Sequence, residues 1–150
     1  MGLKIGDTIP EFSLRDQNGN TFSTTEWVGK KPLVIYFYPK DNTPGCTAEA
    51  CSFRDSYEEF TELGAEVIGI SSDTENSHQK FTEKHNLPFI LLADTQNKVR
   101  RLFKVEKSLF ILPGRETYVV DKQGEIIMVF NNVTANQHVK RALKALKKIV

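Results

Sequence analysis

The chain has 150 residues, a size at which one domain closes its own core. Its hydrophobic share of 39%, charged share of 26% and net charge of +1 fit an ordinary globular protein and give no electrostatic footprint for nucleic acid or an anionic membrane. No apolar run is long enough to span a bilayer, and the residues from Met1 to Asp7 lack the apolar stretch of a secretory signal. The expectation is therefore a cytoplasmic protein, or an organellar one if a transit segment has been removed.

Taken in chain order, Phe12 to Arg15 and Thr21 to Ser23 flank Asp16-Gln17-Asn18-Gly19-Asn20, a turn tolerant of positive φ, and so predict a β-hairpin. Pro32 to Tyr38 is nearly continuous in apolar residues, the pattern of a strand covered on both faces. Pro39 to Gly45 holds two prolines and a glycine and reads as a loop; a helix then runs to about Leu63, with Gly64 as its stop. Ala65 to Ser72 is a second buried strand, and Asp73 or Thr74 caps a helix running to about Asn86. Phe89 to Leu92 is a short strand and Gln96 to Phe103 a short helix. Lys104 to Gly114 receives no clear element. Glu116 to Val120 and Ile126 to Phe130 form a hairpin around Asp121-Lys122-Gln123-Gly124. Thr134 and Gln137 make a capping box for a last helix whose apolar face is Val139, Leu143, Leu146 and Val150 and whose lysines face water. The chain shows no linker and is read as one domain, 1–150. Alternating strands and helices imply an α/β protein with a partly parallel sheet, and the closing hairpin and helix match the second half of a thioredoxin-like fold. In such sheets sites form at the carboxyl ends of strands, where the loop after Tyr38 lies.

The two cysteines, Cys46 and Cys51, frame the chemistry. Cys46, Ala50, Phe53, Tyr57 and Phe60 recur at helical spacing, so Cys46 opens the stripe that faces the domain, at the helix N-terminus. Unpaired N–H groups and the helix dipole there favour the thiolate, which is the nucleophile. Cys51 lies roughly 140° around the helix, with Cα atoms about 8.7 Å apart, beyond the ~6.8 Å that a disulfide spans. The pair bridges only if the first turns unwind. The spacing is neither the C-x-x-C of a thioredoxin-type reductase nor a zinc pattern, since His78, His85 and His138 are far away in sequence. His78 and His85, seven residues apart, are read as lying on a solvated helix face. Two thiols kept buried in a reducing compartment is the plainer reading of the pair.

The segment Pro39-Lys40-Asp41-Asn42-Thr43-Pro44-Gly45-Cys46 resembles the P-x-x-x-T-x-x-C signature of peroxiredoxins, and Cys46-Thr47-Ala48-Glu49-Ala50-Cys51 is similar to the active-site helix of their Q-type, or bacterioferritin-comigratory, subfamily. Leu112-Pro113-Gly114-Arg115-Glu116-Thr117 is similar to the segment that delivers that family's active-site arginine. The resemblance implies a thioredoxin-like fold, a mixed central sheet flanked by helices with an N-terminal β-hairpin extension, and a thiol-dependent peroxidase acting on hydrogen peroxide and alkyl hydroperoxides. Cys46 would attack the peroxide and become a sulfenic acid, and Cys51 would resolve it as an intramolecular disulfide. Thr43 would hydrogen-bond the peroxide. Arg115 would lower the Cys46 pKa and stabilise the leaving oxygen. Pro39 would shape the pocket, the Gly45 and Cys46 N–H groups would bind the peroxide, and Glu49 would orient Arg115.

The implied partner is thioredoxin or a similar dithiol, with a monomer as the expected state. No haem, flavin or metal is expected, since thiols can carry all the chemistry. Two competing functions are a thioredoxin-like disulfide oxidoreductase, against which the cysteine spacing argues, and a non-enzymatic redox sensor or holdase that exposes apolar surface when the helix unwinds.

Overall fold

The computed structural model describes residues 3–103, 107–108, 112–113, 116–131 and 135–149. At its centre is β3 (Leu33–Phe37), every residue of which is buried. The chain reaches it through a hairpin of β1 (Ser13–Arg15) and β2 (Thr21–Ser23), which forms a separate two-stranded sheet, and a 3-10 turn at Thr24–Glu26. After β3 come α1 (Pro44–Asp55), α2 (Tyr57–Glu62), β4 (Glu66–Ser71), α3 (Glu75–His85), β5 (Ile90–Ala93) and α4 (Lys98–Leu102). The two-residue strands β6 (Lys107–Ser108) and β7 (Leu112–Pro113) pair antiparallel inside the stretch that the sequence left unassigned. β8 (Glu116–Val120), β9 (Ile126–Asn131) and α5 (Ala135–Lys147) complete the chain.

The main sheet has the order β5-β4-β3-β8-β9; β3 to β5 are parallel, and β8 and β9 run antiparallel to their neighbours. This is the mixed sheet of a thioredoxin-like fold, with the β1–β2 hairpin as its extension. Alternation along β3 divides the core. Val34 and Tyr36, with Tyr38 just beyond the strand, face a cluster holding Cys46, Ala50 and Phe53 of α1, Phe60 of α2, Phe81 of α3 and Val139, Ala142 and Leu146 of α5. Leu33, Ile35 and Phe37 face the other cluster, with Phe12 and Phe22 from the hairpin and Val99 of α4.

The helix expected to run unbroken to Leu63 is two helices, divided at Ser56, whose φ of −104° and ψ of 6° leave the helical range. The apolar stripe crosses the break: Cys46, Ala50, Phe53 and Phe60 are buried and Tyr57 is half-buried, its hydroxyl donating to Glu66 Oε1 at 3.0 Å. Burial first, then Glu66, pushes the Tyr57 phenol up to about 12. Gly64 stops α2 as expected: at φ +79° its amide donates to Thr61 O, and that of Ala65 to Phe60 O. Thr74, not Asp73, caps α3 by accepting from the Ser77 N–H at 3.1 Å. On the last helix Val139 and Leu146 are buried and Leu143 half-buried; Thr134 and Val150 lie outside the described residues.

Gly69, in β4, has no room for a side chain. An added Cβ would sit 2.8 Å from Leu91 Cδ2 and 2.8 Å from the Tyr36 ring. Both neighbours are fully buried, so neither can swing into solvent. Gly69→Ala is expected to destabilise the fold by about 1–3 kcal/mol, measured as a lower urea midpoint at unchanged slope.

Candidate active site

The site begins where β3 ends. Tyr38 extends the ladder by one hydrogen bond, N–H to Ile70 O at 3.1 Å, and the chain then leaves the sheet at the half-buried Pro39. A proline cannot continue a central ladder, so the turn falls at the carboxyl end of β3. Asn42 takes φ +63°, which asparagine tolerates better than most residues, and the chain re-enters helical geometry with Thr43 as N-cap of α1.

Pro44 is the first residue of the helix and has no N–H to lose. Intrahelical bonding starts with the Thr47 N–H donating to Thr43 O at 2.8 Å, so the Gly45 and Cys46 N–H groups precede the ladder and point out of the helix start. The Thr43 side chain does not cap them; its hydroxyl donates to Lys40 O at 2.9 Å. The hydroxyl proton is thus held by the loop, and the oxygen keeps lone pairs for an incoming O–H. Cys46 is buried, 1% exposed, in the first turn of α1 and inside the same core cluster as Tyr38. Cys51, half-buried, lies on the same unbroken helix, and the two cysteines are not joined by a disulfide.

The loop is anchored from below by a polar network. Asp41 is buried; its Oδ1 accepts from the Tyr38 hydroxyl at 2.7 Å, and its Oδ2 accepts from Ser77 Oγ at 2.8 Å and meets His78 Nδ1 at 2.7 Å. His78 Nε2 donates to Leu92 O at 2.9 Å. The Asp41 N–H donates to Asp73 Oδ2 at 2.8 Å, which also takes the Ser71 hydroxyl at 2.6 Å. Burial, reinforced by Asp41, raises the Tyr38 phenol well above its ordinary pKa and keeps it a neutral donor. Asp41, Asp73 and His78 are close enough to suggest a cation site, but their ligand atoms are already occupied by these mutual bonds and by Ser71, Ser77 and Tyr38.

This network corrects the reading of α3. His78 is fully buried, and His85 is half-buried with its ring roughly perpendicular to that of Phe81, the ring centres 5.0 Å apart. Spacing of seven does put the two histidines on one face, but that face also carries Phe81 and is turned inward, where Asp41 and Leu92 O offset the cost of burying an imidazole. His85 Nδ1 lies 3.9 Å from Cys51 Sγ, and His138 of α5 reaches α1 from the other side, so two histidines remote in sequence flank the cysteine helix.

Glu49 is fully buried, not a surface carboxylate of the first turns. Its Oε2 is 3.6 Å from His138 Nδ1, which also meets Thr117 Oγ1 at 2.7 Å. Arg115, the expected active-site cation, lies outside the described residues. A second arginine, which the sequence did not single out, is described. Arg100 of α4 is buried, donates from Nη2 to Tyr38 O at 2.9 Å and lies over the Phe37 ring. Burial pulls its pKa down against the opposing attraction of Asp94, Glu116 and Cys46, which places Cys46 within its electrostatic reach. Glu116, next to the expected arginine in β8, accepts from the Tyr118 hydroxyl and from Asn131 Nδ2 at 3.2 Å. The Tyr118 phenol is raised by burial and then by that bond.

A buried thiol in the first turn of a helix, at the carboxyl end of the central strand of a thioredoxin-like sheet, with a second thiol further along the same helix, defines the class of thiol-dependent peroxidases of two-cysteine type. The AhpC/TSA family model matches residues 5–129. The chain is 51% identical over 146 residues to the chloroplastic peroxiredoxin Q of Sedum lineare, covering 96% of this chain and 78% of that protein. Among solved structures, peroxidoxin BcpB from Mycobacterium tuberculosis superposes with a TM-score of 0.91 at 36% identity over 99% of both chains. The bacterioferritin comigratory protein of Xanthomonas campestris gives 0.86 at 31% identity, covering 95% of this chain and 99% of that one. The chain belongs to the AhpC/TSA family and, within it, to the Q-type peroxiredoxins.

Proposed function

We propose that Cys46 is the peroxidatic thiolate and Cys51 the resolving thiol of a monomeric, single-domain enzyme that reduces hydrogen peroxide and alkyl hydroperoxides. The carrying observation is the placement of Cys46: a buried thiol next to the Gly45 and Cys46 N–H groups that precede the helical ladder. The Cys46 thiolate attacks one peroxide oxygen, the O–O bond breaks, and the departing alkoxide or hydroxide takes a proton. Sulfur is oxidised by two electrons to the sulfenic acid and the peroxide is reduced to an alcohol or water. The two N–H groups and the Arg115 guanidinium stabilise charge on the reacting oxygens, Thr43 accepts from the peroxide O–H, Pro39 closes the pocket wall, and Glu49 holds Arg115. Alkyl peroxide reduction is the activity named for the Xanthomonas campestris relative.

Cys51 then attacks the Cys46 sulfenic sulfur; the disulfide forms and water leaves. Thioredoxin or a similar dithiol reduces the disulfide by exchange. Such a cycle suits a reducing compartment, the cytoplasm or an organelle such as the chloroplast named for the plant relatives. Because α1 is continuous from Pro44 to Asp55, the two Cα atoms stand about 8.7 Å apart, and disulfide formation requires part of the helix to melt. The test is Cys51→Ser. It should consume one equivalent of peroxide at the wild-type rate, stop at the sulfenic acid and lose turnover with thioredoxin. Full turnover with thioredoxin in that variant would refute the resolving role.

A further inference from the structure

We propose that His85 is the proton acceptor for Cys51 in the resolving step, and that Cys46 travels to Cys51 rather than the reverse. The proposal rests on the two-thiol cycle above and adds a residue to it. Three observations carry it. His85 Nδ1 lies 3.9 Å from Cys51 Sγ, within reach of a sulfur hydrogen bond. Arg54 Nη1, one turn beyond Cys51, donates to His85 O at 2.8 Å, and so ties the second half of α1 to the end of α3. The helix start carries no side-chain cap, so its first turn lacks that stabilisation. Unwinding confined to residues 44–50 would free Cys46 while leaving Cys51 beside its histidine.

The charge around His85 suits this role. Burial first, then Lys84 on its own helix and Arg54 on α1, holds its pKa below the ordinary histidine value, so the ring stays neutral and able to accept at neutral pH. Asp55 faces Arg54 at 3.0 Å, and the Phe81 ring packs against the imidazole in a T-shaped pair. In the step itself the Cys51 S–H proton passes to His85 Nδ1 and the thiolate sulfur attacks the Cys46 sulfenic sulfur. The S–O bond breaks, and the departing hydroxide takes a proton back from the imidazolium as water. No outside oxidant or base is consumed.

The sign with pH follows. Protonated His85 cannot accept, so resolution slows as pH falls through the His85 pKa, below about 6.5, well apart from a thiol's own ionisation near ~8.5. Peroxide is mixed with the reduced full-length protein, and mass spectra of quenched samples separate the two steps: gain of one oxygen reports Cys46 oxidation, and its loss as water reports resolution. In the wild type, resolution should show the acid inflection. In His85→Gln it should slow by about 10- to 100-fold at pH 7, the low end of general-base effects because a thiol ionises partly by itself, and the inflection should vanish. Hydrogen exchange on the oxidised wild type should show protection lost at amides 47–54, whose helical acceptors are the carbonyls of 43–50, and kept at 55 and 56, whose acceptors lie at 51 and 52. Resolution in His85→Gln at the wild-type rate and pH profile would overturn the proposal, as would exchange showing protection lost at 55 and 56 as well. The wild-type pH profile tests the base independently of how well the variant folds. A wild type whose Cys46 never gains oxygen would instead overturn the two-thiol cycle itself, and this proposal with it.

Discussion

Cys46→Ser is expected to lower kcat/KM for hydrogen peroxide by about a thousandfold or more, to the level of unassisted chemistry. A hydroxyl, which ionises far less readily, replaces the thiol. The N–H groups of Gly45 and Cys46, which favour a thiolate, act too weakly to ionise an alcohol. Sulfur-to-oxygen exchange in a buried position keeps the shape of the side chain, so the far-UV spectrum should be unchanged. Peroxide consumption by this variant, followed with a peroxide-selective dye at matched concentration, would check the claim. Cys51 alone, half-buried and away from the helix start, should not substitute.

The second large effect is expected at Asp41. Its carboxylate collects the Tyr38 hydroxyl, Ser77 Oγ and His78 Nδ1, all within 2.8 Å, and its own N–H is held by Asp73. Asp41→Ala leaves these partners buried without their acceptor, which costs about 1–3 kcal/mol for each group left unsatisfied. Urea unfolding should show that loss directly. The loop from Pro39 to Thr43 hangs on the same network, so the rate at which Cys46 reacts should fall as well, while Asp41→Asn, which keeps an acceptor oxygen, should recover part of both. A loss of stability with no change in the Cys46 rate would show that the network supports the core and not the loop.

The sequence made the frame of the site legible because strong local signals coincide there. A continuous apolar run marks β3, Pro39 and Pro44 bracket the loop, and a helical stripe beginning at Cys46 puts that thiol on the inner face. The two hairpins followed from turn chemistry. The break at Ser56 was not legible, since the stripe keeps its phase across it and periodicity reports a face, not the continuity of the backbone. The buried histidines were missed for a related reason. His78 and His85 share a face with Phe81, but polar residues on a helix read as its outer side unless a buried partner is known, and Asp41 lies 37 residues away. Arg100 was hidden in the same way: it sits next to the exposed Arg101, and only the meeting of α4 with the end of β3 separates their roles.

One experiment bears most directly on the account. The reduced protein is mixed with one equivalent of hydrogen peroxide, quenched at millisecond intervals with a thiol-blocking reagent, and weighed as the intact chain. The account predicts rapid loss of two hydrogens, with both cysteines protected from the reagent and the disulfide mapped to Cys46 and Cys51. Oxidation no faster than that of free cysteine, or two thiols still open to the reagent, would contradict it.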